Sequence, residues 1–247
     1  MSTSVRFITR AYASKARVAI VGARGYVGGE LATLIASHPQ LTLAAAFSRS
    51  LGGTRLGASM PQLSAAAERN VRGAADAAEL LFTEATPDAV VASRCDVVVL
   101  ALPNGASLPY VEALRGAKSV IVDVSADGRF EPARYAYGLP EVKDNRARLR
   151  AGAKLVANPG CYATASQLAL WPLVKAGWLG ADSRAPSIFA ISGYSGAGST
   201  PGPKTDPVYL GDSVLAYSSI GHVHEREIST QIDRKSTRLN SSHVSES

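Results

Sequence analysis

"ARVAIVGARGYVGGELATLIASHP", Ala16 to Pro39, reads as strand, glycine turn and helix in one run. Arg17 to Val21 is apolar and β-branched, the composition of a buried strand. Gly22, Gly25 and Gly28 follow at intervals of three. Leu31, Leu34 and Ile35 then recur at helical spacing, and Pro39 stops the helix. Glycines at such a turn let the backbone bend sharply and approach a pyrophosphate. The anion then sits on the helix N-terminus, where N–H groups and the dipole favour it. The pattern is GxxGxxG rather than the stricter GxGxxG, so the strand-turn-helix context carries the reading. Gly22, Gly25, Tyr26, Val27 and Gly28 are the expected dinucleotide contacts.

The next strand, "LTLAAAF", ends at Phe47. An acidic residue there would suit the ribose hydroxyls of NAD. This chain has Ser48, Arg49 and Ser50 instead, two hydroxyls and a guanidinium that suit a 2′-phosphate, so NADP is expected. "CDVVVLALP", "SVIVDVSAD" and "KLVANPG" are nearly all-apolar strands, as in a parallel sheet covered on both faces. Ala106 to Arg115 reads as a helix between two of them. Strands alternating with helices predict an α/β fold, a Rossmann-type doubly wound parallel sheet. Cys95 reads as core filling. Thr54 to Ala92 is alanine-rich and carries no chemistry that its sequence reveals.

The chain has 247 residues, 46% hydrophobic and 19% charged, which suits a packed core and excludes wholesale disorder. No apolar run approaches the ~20 residues of a membrane-spanning helix. The net charge of +6 is spread out. Part of it lies at the ends, in Arg6, Arg10, Lys15 and Arg17, and in Arg234, Lys235 and Arg238. With 6% aromatics and no basic–aromatic platform, a nucleic-acid partner is not expected. Two cysteines make no disulfide framework and point to a reducing compartment. Residues 1–15, rich in Ser and Arg and free of acids, read as a mitochondrial targeting leader or a linker, and "RAYAS" resembles the site cut by the matrix processing peptidase. The location implied is the mitochondrial matrix. Residues 235–247 lose periodicity, fill with Ser, Thr and Asn, and read as a disordered tail foreign to the fold.

"NPGCY", Asn158 to Tyr162, ends a strand, and "ATASQLALWPLVKAG" then reads as a helix. Leu168, Leu170, Leu173 and Val174 are its candidate core residues. Pro172 is expected to kink it, and Gly177 to stop it. Cys161 thus sits at a helix N-terminus, where the backbone partial charge favours thiolate over thiol. On position alone a buried structural cysteine is the competing reading. Two further stretches favour a nucleophile. "SGYSGAG", Ser192 to Gly198, offers backbone N–H groups, around Ser195 and Gly196, to a phosphate or an oxyanion. "GHVHEREI" places His222 and His224 two apart with Glu227 behind. If extended, both rings point to one face and can exchange protons with a substrate. No CxxC or zinc-spaced histidine set accompanies them, so no metal is expected.

"VANPGCYATASQLALWP" resembles the active-site signature of the N-acetyl-γ-glutamyl-phosphate reductase family. The glycine run, "YGLPE" (Tyr137 to Glu141), "ISGYSGAG" and "GHVHEREI" resemble that family in the same order. The last two are most similar to fungal versions, which are mitochondrial and often made as a precursor joined to acetylglutamate kinase. The resemblance covers roughly Arg17 to Ile232. It implies a fold and mechanism like those of aspartate-semialdehyde and glyceraldehyde-phosphate dehydrogenases, and a homo-oligomer, with acetylglutamate kinase as a further partner. Residues 16–158 would bind NADP, and 159–234 would form part of an α+β substrate domain. Cys161 would attack an acyl phosphate and expel phosphate; NADPH would reduce the thioester; His222 would be the acid/base. His224 and Glu227 would orient it or hold substrate, with Ser195 and Gly196 beside them. Arg129, in "DVSADGRF", would hold the substrate's carboxylate or phosphate. The family pattern carries a bulky residue where Gly128 stands. It also continues well beyond "HEREI", so this chain is expected to hold an incomplete substrate domain and to be inactive or poorly stable as it stands. The alternatives are a related semialdehyde dehydrogenase with another acyl phosphate, and a non-catalytic nucleotide-binding partner of the kinase.

Overall fold

In the computed structural model, which describes residues 14–179, 186–217, 221–232 and 240–246, the opening apolar run lies at the middle of a sheet. The strands are β1 (Ala16–Val21), β2 (Leu41–Ser48), β3 (Phe82–Glu84), β4 (Val97–Leu100), β5 (Val120–Asp123), β6 (Ala136–Tyr137) and β7 (Leu155–Ala157). Their order is β3-β2-β1-β4-β5-β7-β6, and every pairing is parallel. The order reverses between β1 and β4. In such sheets the crevice beyond the carboxyl ends at the reversal is where ligands bind.

Alternation along β1 explains why Val18 to Val21 are all apolar. Val18 and Ile20 enter one core cluster, Ala19 and Val21 the other, on opposite faces. The first face is covered by α1 (Tyr26–Ser37), α2 (Leu56–Ser59), α3 (Pro61–Glu68) and α4 (Ala74–Glu79), through Ala32, Ile35, Leu56, Leu63 and Ala77. The second is covered by α5 (Pro87–Ala92) and α6 (Leu108–Ala113), with Val90, Tyr110 and Val111 packed on Phe47, Val98 and Leu100. Cys95 is buried in that cluster. Thr54 to Ala92, opaque as sequence, resolves into four helices and β3. The helices run four to eight residues, too short for periodicity to declare them.

After α7 (Asn145–Arg150) and β7, the chain enters α8 (Cys161–Lys175) and a second sheet. That sheet comprises β8 (Ser187–Gly193), β9 (Val214–Tyr217) and β10 (Asn240–Glu246), in the order β8-β10-β9. Short α9 (Pro207–Leu210) and α10 (Val223–Ile232) lie between its strands in sequence. Helix α8 packs on α10 through Ala163, Ile228 and Ile232, with Leu170 and Val174 at the margin. It continues through Pro172 to Lys175. Its end is a Schellman turn: Gly177, at φ +76°, donates to Val174 O, and Trp178 N–H donates to Leu173 O.

Three expectations differ. Leu168 is 43% exposed, because the buried stripe of α8 runs through Tyr162, Ala163, Ser166 and Gln167. The His-Val-His stretch opens a helix rather than a strand. Within the tail expected to be disordered, Asn240–Glu246 is a strand, parallel to β8 and antiparallel to β9. Composition weighs side chains, whereas a strand paired on both edges is held by main-chain hydrogen bonds. The expected leader lies outside the described residues, apart from Ser14 and Lys15. Among the described residues no helix is long and apolar enough to cross a membrane.

The glycine turn makes a stability prediction. Gly22 is at φ +82°, and a Cβ there would strike the carbonyl of Ala101; a Cβ at Gly25 would meet nothing closer than 3.6 Å. Gly22→Ala should cost about 1–3 kcal/mol in urea denaturation, through strain and overpacking. Gly25→Ala should cost under about 1 kcal/mol. Equal losses would contradict this reading of the turn.

Candidate active site

Beyond β7 the chain turns through Asn158, Pro159 and Gly160. Gly160 is the N-cap of α8, extended at φ −71° and ψ 156°, and Cys161 is its first residue. Both cysteines are free, but Cys161 is exposed where Cys95 is buried. Thr164 closes the first helical turn by donating its N–H (2.8 Å) and hydroxyl (2.9 Å) to Gly160 O.

One carboxylate holds this turn. Glu227, buried on α10, accepts the Gly160 N–H (2.9 Å) and the Tyr137 hydroxyl (2.6 Å) on Oε1. Its Oε2 accepts from a terminal nitrogen of Arg129 at 3.1 Å. Arg129 donates from Nε to Asn158 O and from its other terminal nitrogen to Val124 O, both at 2.8 Å. Gln167 of α8 donates to the Tyr137 oxygen at 2.7 Å. Glu227 and Arg129 therefore do not stand where the resemblance put them. Both are buried behind the turn and spend their groups on it. Arg129 rides on a 3₁₀ turn, Asp127–Phe130. There a Cβ at Gly128 would fall 2.6 Å from the Tyr135 ring, so that ring occupies the space a bulkier residue would need.

In front of the turn lies a cavity of about 330 Å³ lined by Cys161, Tyr162, Gly196, Lys204, His222 and His224 among others. The two histidines reach it from the start of α10, His222 just ahead of the helix and His224 in its first turn. Their ring centroids are 4.7 Å apart, and each meets the Tyr162 ring edge-on, at 5.9 and 5.8 Å. A Cβ at Gly160 would strike Nε2 of His224, so glycine there lets the imidazole close on the turn. The glycine-serine segment supplies Ser192, Gly193, Tyr194, Gly196 and Ala197 to the wall. Ser195 does not line it; exposed on the 3₁₀ turn Tyr194–Ala197, it accepts the Gly198 N–H on its carbonyl. Tyr162 and Lys204 were not foreseen. Tyr162 is the residue after the cysteine. Lys204 sits in "GSTPGPKTDP", where only tertiary structure reveals that the loop reaches Cys161.

On the nucleotide side, Gly25 caps α1, and Tyr26 and Val27 in its first turn are 45% and 51% exposed. A Cβ at Gly28 would fall 2.6 Å from the Ala23 backbone, so glycine is needed for the tight turn. A cleft of about 520 Å³ separates Tyr26 from the loop carrying Gly198, Pro203 and Asp206. Arg49 and Ser50 are exposed beyond β2, whereas Ser48 is buried and its hydroxyl accepts the Ser50 N–H at 3.4 Å. Of the three residues expected to hold a 2′-phosphate, two are presented and one shapes the turn. These residues fit a dinucleotide: glycines where a Cβ would clash, an exposed helix start, and a guanidinium at the end of the second strand.

The lock behind Cys161 predicts that Glu227→Ala costs about 3–5 kcal/mol in chemical denaturation, since it strands a buried guanidinium. Burial, and then the Glu227 charge, push the Tyr137 phenol well above its ordinary range. The folded state keeps this proton where the unfolded chain loses it. Its contribution is therefore full below about pH 10 and declines as pH rises further. Tyr137→Phe should remove that part of the alkaline loss in a pH series of denaturation curves.

Two family models match the chain. "Semialdehyde dehydrogenase, NAD binding domain" covers residues 17–150, and "Semialdehyde dehydrogenase, dimerisation domain" covers 161–244. N-acetyl-gamma-glutamyl-phosphate reductase of Stenotrophomonas maltophilia is 46% identical over 215 residues, 86% of this chain and 61% of that protein. The protein of the same name from Xanthomonas campestris is 44% identical over 217 residues, 87% and 62%. "Protein arg11, mitochondrial" of Schizosaccharomyces pombe is 46% identical over 226 residues, 90% of this chain and 23% of that one. The chain thus spans just over three-fifths of the bacterial relatives' length. Among solved structures, aspartate semialdehyde dehydrogenase II of Vibrio cholerae superposes with a TM-score of 0.67 at 15% identity, over 94% of this chain and 71% of that one. The Candida albicans enzyme with NADP gives 0.66 at 16%, over 94% and 68%. At such identities these two speak for the fold alone. With more than half of its residues under the first family model, the chain belongs to the semialdehyde dehydrogenase family.

Proposed function

We propose that this protein reduces N-acetyl-γ-glutamyl phosphate to N-acetylglutamate 5-semialdehyde with NADPH, a step of arginine biosynthesis. The observation that carries the reading is an exposed thiol opening α8 in a cavity shared with two histidines. The names of the 44–46% identical bacterial relatives support the substrate.

In this reading Cys161 is the nucleophile. Its sulfur attacks the acyl carbon, the bond from that carbon to the phosphate oxygen breaks, and phosphate leaves a thioester on Sγ. NADPH, when bound, supplies the hydride that reduces the acyl group to the aldehyde level. The carbon–sulfur bond then breaks and restores the thiolate. Gly22, Gly25, Tyr26, Val27 and Gly28 hold the pyrophosphate, and Arg49 with Ser50 the 2′-phosphate. Lys204 and the backbone around Gly196 face the substrate's anionic groups. Arg129 and Glu227 serve as positioning residues for the Cys161 turn.

The proposed division is a nucleotide unit over 16–158 and a catalytic unit from 159 onward, whose sheet includes β10 (Asn240–Glu246). The match to a dimerisation domain supports a homo-oligomer. Residues 1–15 and the mitochondrial fungal relative support a mitochondrial location, in the matrix. Acetylglutamate kinase is the proposed protein partner.

The test is the reverse reaction: NADP reduction with N-acetylglutamate 5-semialdehyde. The rate should depend on phosphate and fall to background in Cys161→Ser. A phosphate-dependent rate with aspartate semialdehyde and none with the acetylglutamyl substrate would overturn the reading.

A further inference from the structure

Arg24 is the one charged residue between Gly22 and Gly28. The Gly25 N–H donates to Gly22 O at 3.2 Å and closes a turn with Ala23 and Arg24 at its corner. Ala23 is buried and Arg24 is exposed. The corner is pinned to the end of β2: Gly22 and Ala23 both donate their N–H groups to Phe47 O, at 3.0 and 3.2 Å. Arg49 stands two residues past that carbonyl and is exposed as well. Paired strands lie about 4.8 Å apart, less than the length of an arginine side chain, so one small anion can meet both guanidiniums. Neither arginine has an ion pair among the described residues. The acids on the adjoining elements, Glu30 on α1 and Glu84 at the end of β3, pair with neither. Two cations so placed repel each other, and α1 turns its positive end to the same corner.

We propose that Arg24 and Arg49 together clamp the 2′-phosphate of NADP, and that Arg24 sets the preference for NADP over NAD; this rests on the cofactor reading above. The pyrophosphate has no need of Arg24, because the N–H groups of the first turn of α1, at Tyr26 and Val27, serve it. A phosphate monoester on the ribose carries close to two negative charges and three acceptor oxygens, enough for two guanidinium forks. Arg49 by itself would supply attraction. The second cation adds discrimination. NAD offers a neutral hydroxyl at that place, which leaves the two guanidiniums facing each other with no anion between them. Repulsion thus works against NAD while attraction works for NADP, and the two together separate cofactors that differ by one phosphate.

Calorimetric titration of the whole protein, with no substrate present, tests this. The ligands are NADP, NAD and 2′,5′-ADP, the last being the adenosine end alone. Arg24→Gln should weaken NADP and 2′,5′-ADP about 10–100-fold, the worth of a charge-assisted contact, and should leave NAD no weaker than in the wild type. Because Arg24 is exposed and has no ion pair, the urea midpoint of the variant should match the wild type, so a binding loss is not a folding loss. Equal weakening of NADP and NAD would put Arg24 on the pyrophosphate and overturn the proposal. NADP affinity indifferent to Arg24→Gln, in a protein that still selects NADP, would overturn it too and leave the cofactor reading standing. Wild-type protein that binds NAD as tightly as NADP would overturn the cofactor reading, and the clamp with it.

Discussion

The site depends on the buried carboxylate of Glu227. It joins the N–H of the residue before Cys161, the phenol ending β6 and the guanidinium of the 3₁₀ turn after β5. Two segments of the nucleotide half, the start of α8 and helix α10 thus meet on two oxygens. A buried ion pair is a weak source of net stability, because desolvation offsets attraction. Its value here is geometric. With each partner's groups hydrogen-bonded, the arrangement has few alternatives, and removing any member leaves a buried polar group unsatisfied. Cys161 is thus held from behind, and its front faces the cavity.

The parallel sheet sets the other half of the geometry. β1, β2 and β7 run the same way, so Gly22, Arg49 and the turn before Cys161 emerge from one edge. Strand direction alone brings the glycine turn and the thiol to the same side. The order reversal between β1 and β4 opens the crevice there. The second half then contributes the histidines, Lys204 and the glycine-serine wall.

What was legible in the sequence was local. The β1 turn and α1, the all-apolar strands, and a helix opening at Cys161 each follow from spacing within about twenty residues. The partners of Glu227 were not legible. Arg129 lies 98 positions away and Tyr137 lies 90, and no periodicity links such pairs. The resemblance named both charged residues but set Arg129 on the substrate and Glu227 on His222 or the substrate, because a motif records identity and not direction. His222 and His224 read equally well as an extended pair. The choice of helix follows from Ile228 and Ile232, which must reach Ala163 across the α8 interface. Leu168 was misplaced for a related reason: with apolar residues on several sides of α8, contact with α10 decides which stripe is buried.

The central claim is that the thiol at the start of α8 takes the acyl group. Mass spectrometry of the protein mixed with N-acetyl-γ-glutamyl phosphate, with no reduced nicotinamide present, tests it most directly. An acetylglutamyl adduct on the peptide bearing Cys161, discharged when NADPH is added, is the predicted result. An unmodified Cys161 peptide, with the acyl group on another residue, would contradict the account.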